Sequence, residues 1–76
     1  MEFSIRIVDT DGNPRSGVRV LINWSWTTSD EYTDEDGWAE FDAGDGTSPS
    51  TGSLSADGED LGKVVFEDGE TYSFTV

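Results

Sequence analysis

The chain contains no cysteine and no histidine among its 76 residues. Without cysteine there are no disulfides and no thiolate metal sites, so hydrophobic packing must hold the fold. Without either residue, Ser-His-Asp and Cys-His nucleophilic sites are excluded, together with zinc centres built on those ligands. Cations are also scarce. Arg6, Arg15, Arg19 and Lys63 stand against 17 Asp and Glu, for a net charge of −13. Such a surface repels phosphate backbones and anionic headgroups, so neither nucleic acid nor a membrane is an expected partner. No apolar run approaches the ~20 residues of a membrane helix. Met1–Arg6 lacks the charged and then apolar segments of a secretory leader. A cytoplasmic location is expected from this, or a cell-surface one if the chain is part of a larger assembly. The glycines stand singly, several in Asp-Gly pairs, and none forms a phosphate-cradling loop. Exposed carboxylates in surplus are a solvated face rather than a tuned acid–base pair. No enzyme is expected.

What the chain does have is alternation. Phe3, Ile5 and Ile7 alternate with Ser4 and Arg6, the period of a half-buried strand. Asp11-Gly12-Asn13-Pro14 breaks that strand with turn chemistry. Val18, Val20 and Ile22 resume the pattern, and Trp24 and Trp26 are expected to extend the same inward row. Thr33-Asp34-Glu35-Asp36-Gly37 reads as a second turn, followed by the inward pair Ala39 and Phe41. Composition predicts a flexible Gly/Ser/Thr-rich loop over about 43–53. Leu54 and Ala56 restart a strand, Asp57-Gly58 is a hairpin signal, and Val64 and Phe66 follow. After Asp68-Gly69, Tyr72, Phe74 and Val76 alternate against Thr71, Ser73 and Thr75. Six or seven short strands in one domain, residues 1–76, predict an all-β antiparallel sandwich or barrel.

Val8-Asp9-Thr10-Asp11-Gly12-Asn13-Pro14-Arg15-Ser16-Gly17-Val18-Arg19-Val20 resembles the opening of carboxypeptidase-regulatory-like domains. Thr33-Asp34-Glu35-Asp36-Gly37-Trp38-Ala39-Glu40-Phe41 is similar to their second hallmark, a turn followed by a small-x-Phe strand. Gly69–Val76 fits their last strand. The resemblance implies a seven-stranded immunoglobulin-like sandwich of the transthyretin-like (prealbumin-like) kind, working as a rigid accessory, stalk or adhesion-like module. The purine-pathway hydrolases of that fold depend on histidines, which this chain lacks. Turn geometry alone accounts for both motifs: Pro14 fixes φ, and Gly37 supplies a positive one.

Two readings of the charge compete. One is a solvated, salt-adapted coat of the halophilic type, whose self-repulsion is screened when the Debye length falls to about 3 Å at ~1 M salt. The other is an acidic patch for a basic protein or for Ca²⁺. The acids are spread along the chain, which favours the coat. Asp9, Asp11, Asp34 and Asp36 nonetheless place oxygens at alternate positions, as Ca²⁺ ligation requires. No EF-hand loop is complete, since the twelfth position counted from Asp9 is Val20. Trp38 is out of phase with Ala39 and Phe41 and is expected to face solvent. With Tyr32 it forms a candidate platform for a carbohydrate or a protein partner, against the alternative of a pair that merely covers a sheet. Asn23-Trp24-Ser25 matches a glycosylation sequon, but its strand position and the missing leader make it a chance match.

Overall fold

A computed structural model describes residues 1–44 and 49–76. Seven strands form in chain order: β1 (Glu2–Val8), β2 (Arg19–Asn23), β3 (Thr28–Tyr32), β4 (Trp38–Asp42), β5 (Ser50–Ala56), β6 (Glu59–Phe66) and β7 (Thr71–Thr75). They make two sheets, one ordered β4-β1-β7 and the other β3-β2-β5-β6. The result is the all-β, sandwich-like fold that the alternation predicts. One pairing departs from the antiparallel expectation. β1 and β7 run parallel, with Ile5 opposite Tyr72 and Ile7 opposite Phe74. Parallel neighbours need a long crossover, and the four-stranded sheet lies between them in sequence.

The pleat explains the core. Phe3, Ile5 and Ile7 face inward from β1, Ala39 and Phe41 from β4, Val20 and Ile22 from β2, and Leu54 and Ala56 from β5; all are buried, as is Val18 just ahead of β2. Tyr72, Phe74 and Val76 are half-buried and pack against that cluster. Phe66 completes it, stacked on Phe3 at 4.7 Å between ring centroids.

Two expectations are corrected. Trp24 is buried, but Trp26 is 60% exposed. β2 stops at Asn23, and the chain turns at once, with the Trp24 N–H donating to the Thr27 carbonyl at 2.8 Å. Beyond a strand's end its two-residue period no longer assigns faces. The expected 43–53 loop is also shorter, because β5 begins at Ser50; residues 45–48 lie outside the described residues. Polar composition hid the strand. Ser50, Thr51 and Ser53 need no apolar side chain there, since Gly52 lets the Trp24 indole lie on the inner face.

The two ends of the sandwich are built differently. At the end where β1 stops and β2 starts, hydrogen bonds interlock the loops. Ile7 N–H donates to the Gly37 carbonyl at 2.8 Å, Arg15 N–H to the Ile7 carbonyl at 2.9 Å, and Gly17 N–H to the Thr33 carbonyl at 2.9 Å. At the other end the rings gather: Phe3 meets Trp24, Phe41 and Tyr72 in stacked or edge contact, and Phe66 meets Trp24 and Tyr72 edge-on.

Candidate functional site

Asp9 and Asp34, two of the predicted oxygen ligands, head identical turns. The Oδ1 of Asp9 accepts from the backbone N–H of Asp11 and of Asn13, both at 2.9 Å. The Oδ1 of Asp34 accepts likewise from Asp36 at 2.9 Å and Trp38 at 3.0 Å. Each turn closes with the fourth residue's N–H donating to the Asp carbonyl at 3.0 Å, and with a positive-φ glycine, Gly12 or Gly37. That is a type I turn with a glycine bulge, with one carboxylate oxygen bonding the backbone amides. Asp11 and Asp36 project from the turn tips as exposed side chains. Among the described residues, no three acidic side chains come together in an arrangement that could hold a metal ion.

Trp38 and Tyr32 are not brought together. Trp38 pairs with Arg6, so it stands on the outer face of the three-stranded sheet. Tyr32 pairs with Arg19, on the outer face of the four-stranded sheet, and is 65% exposed. Trp38 is half-buried beneath Arg6, whose guanidinium carbon lies 5.9 Å from the ring centroid. The Arg6 Nε also donates to the Asp36 carbonyl at 3.3 Å, which pins it there. Around them Ser4 Oγ donates to Glu40 Oε2 at 2.5 Å. The groove beside the indole, about 290 Å³, is otherwise lined by Ser4, Asp34, Glu40 and Thr71. Its walls are polar, so the ring does not continue into an apolar patch of the kind that marks binding surfaces.

Sequence reasoning missed the larger cleft, about 620 Å³, at the aromatic end. A cleft of that volume falls in the range of small-ligand sites. Trp26 stacks on Trp24 at 5.3 Å and 22° between ring planes. Trp24 is itself held from three sides. Its Nε1 donates to Ser29 Oγ at 3.0 Å, its ring meets Phe66 edge-on at 5.4 Å, and Gly52 lies beneath it. Asn23, Ser53 and Lys63 sit side by side across β2, β5 and β6 and form the adjoining wall. The readable signal was Trp26-Thr27-Thr28-Ser29-Asp30, in which no apolar residue follows at the strand period.

Neither protein-family models nor curated proteins match this sequence. The site therefore stands on its own geometry.

Proposed function

We propose that the chain is a non-catalytic structural or accessory β-sandwich module with a salt-adapted acidic surface. The observation that carries this reading is the placement of charge. Among the described residues every Asp and Glu lies outside the core, and only two ion pairs, Arg15–Asp57 and Arg19–Asp30, offset them. A net charge of −13 thus spreads over 4509 Å² of surface. Self-repulsion of that kind opposes folding in dilute buffer and is screened in concentrated salt. The transthyretin-like resemblance fits this role. Seven strands in two sheets agree with the sandwich it implies, and both of its hallmark motifs are occupied with holding turns.

The test is thermal unfolding followed by circular dichroism as NaCl rises from ~0.05 M to ~1 M. The melting temperature should climb across that range. Sucrose at matched water activity should raise it less, because exclusion of cosolute from the surface does not screen charge. A flat or falling melting temperature with NaCl overturns the salt-adapted reading.

A further inference from the structure

We propose that the cleft at the Trp26 end binds a uronate-bearing glycan, with a pyranose ring on the Trp26 face and a carboxylate on Lys63. The chain carries 17 acidic residues, yet among the described residues the nine that line this cleft include no acid and do include the chain's only lysine. Neither of the two ion pairs among the described residues uses Lys63. The cleft is thus the neutral-to-cationic spot on an acidic protein, complementary to a single carboxylate.

The aromatic geometry supplies the other half. One face of Trp26 rests on Trp24, and its 60% exposure leaves the other face open to solvent. Because Trp24 is held by Ser29, Phe66 and Gly52, the outer indole rests on a fixed face. A preorganised ring loses little conformational entropy on binding. An indole that is flat on one side and wet on the other suits the alternately apolar and hydroxylated faces of a sugar. Along the wall, Asn23, Ser53 and Lys63 form a row across three strands, about 10 Å long at the usual strand spacing. Asn23, which lines the cleft, accepts through Oδ1 from Thr28 Oγ1 at 3.1 Å, and its Nδ2 amide is the group that could donate to sugar hydroxyls. Ser25 and Thr51 add hydroxyls at the rim. The wall presents side chains of β2, β5 and the edge strand β6, and β6 contributes only Lys63 to it; a peptide adding to the β6 edge would pair with backbone and would not need the Trp26 face.

The experiment is a titration of the whole chain, monitored by tryptophan fluorescence and calorimetry, with three probes. These are oligogalacturonate, a neutral cello-oligosaccharide and oligoglutamate. The expected result is saturable binding of oligogalacturonate alone, weakened at least tenfold by Trp26→Ala and by Lys63→Gln. Both variants should keep the wild-type circular dichroism spectrum. Lys63→Gln keeps the test decisive even if loss of the Trp26 ring loosens the turn, since Lys63 is exposed. Equal binding of the neutral probe overturns the carboxylate assignment. Binding of oligoglutamate that survives Trp26→Ala overturns the glycan in favour of plain charge attraction or a peptide. No binding of any probe by the folded chain overturns the site. None of these outcomes depends on the salt response of the melting temperature, so the two readings fail separately.

Discussion

Thr33 is the only buried polar side chain among the described residues, and replacing it separates hydrogen bonding from packing as the source of stability at the locked end. Its Oγ1 donates to the Arg15 carbonyl at 2.6 Å and accepts from the Val18 N–H at 2.9 Å. The same residue's backbone receives Gly17 N–H and donates to the Val18 carbonyl. One side chain therefore closes the β1–β2 connection onto the β3–β4 connection. Thr33→Val keeps the shape and removes both bonds, which strands a buried amide and a part-buried carbonyl. Each orphan costs about 1–3 kcal/mol, so the pair should cost roughly 3 kcal/mol. Thr33→Ser keeps both bonds and loses one methyl, about 0.8 kcal/mol. Urea unfolding in ~1 M NaCl, where charge repulsion is screened, measures both. For a domain of this size, 3 kcal/mol corresponds to a drop of roughly 12–24 °C in melting temperature. If packing dominated at this position, the order would reverse, because valine fills the space and serine does not. A Thr33→Val variant as stable as Thr33→Ser, or more so, refutes the hydrogen-bond account.

Gly37→Ala should destabilise far more than Gly12→Ala, although both glycines have φ above +80°. The Gly37 methyl would lie 2.6 Å from the Ile7 carbonyl oxygen, while nothing stands within 4 Å at Gly12. Backbone strain alone costs about 1–2 kcal/mol, and parallel urea curves should show the excess at Gly37. Gly52→Ala sets a methyl 2.5 Å from Ile22 Cγ2 and 3.2 Å from the Trp24 ring; it should cost about 1–3 kcal/mol and shift tryptophan emission as the Trp24–Trp26 stack moves. Asp9→Ala and Asp34→Ala each remove an oxygen that accepts from two backbone amides, so calorimetric melting should show similar losses of about 1–2 kcal/mol. A double-mutant cycle between Arg6 and Trp38 should return a coupling of about 0.5–1 kcal/mol, since that cation lies over a half-buried, not desolvated, ring.

The strands legible in the sequence were those whose apolar residues alternate inside the pleat. Phe3, Ile5 and Ile7, or Val18, Val20 and Ile22, announce their face because each has a partner two residues on. β3 was not legible. Thr28-Ser29-Asp30-Glu31-Tyr32 buries almost nothing, since it is an edge strand of the four-stranded sheet. Charge on an edge strand discourages pairing with another chain and also erases the hydrophobic signal. The turn between Trp24 and Thr27 escaped for a related reason. It contains neither glycine nor proline, and two tryptophans spaced by two imitate a continuing strand. That one missed turn moved the candidate aromatic surface from Trp26 to Trp38. The Asp-Gly turns, by contrast, were legible in place and chemistry, because side-chain capping depends on residues only two and four apart.

Where a fifth of the residues are acidic, an acid by itself carries little information about a site. Asp9 and Asp34 looked like ligands because their spacing is regular, but the same spacing is what lets one carboxylate oxygen reach two amides of its own turn. Information lies instead where the common residue is missing and the rare one appears. The locked end consumes three of the four cations: Arg6 over Trp38, Arg15 between Asp57 and the Val76 carbonyl, and Arg19 on Asp30. Lys63 makes no ion pair among the described residues, and it lines the same cleft as Trp26, the one tryptophan left exposed. A coat that serves solubility can vary residue by residue without penalty, whereas a cleft built to receive a carboxylate needs its lining positions to stay free of acid. Substituting Ser53 by Asp tests this directly. It would give Lys63 a cross-strand partner directly opposite on β5 and occupy the ammonium that the cleft otherwise offers to a ligand. Ser53→Asp should leave the melting temperature in ~1 M NaCl near wild type while abolishing oligogalacturonate binding. Unchanged binding in that variant would mean that Lys63 does not meet the carboxylate.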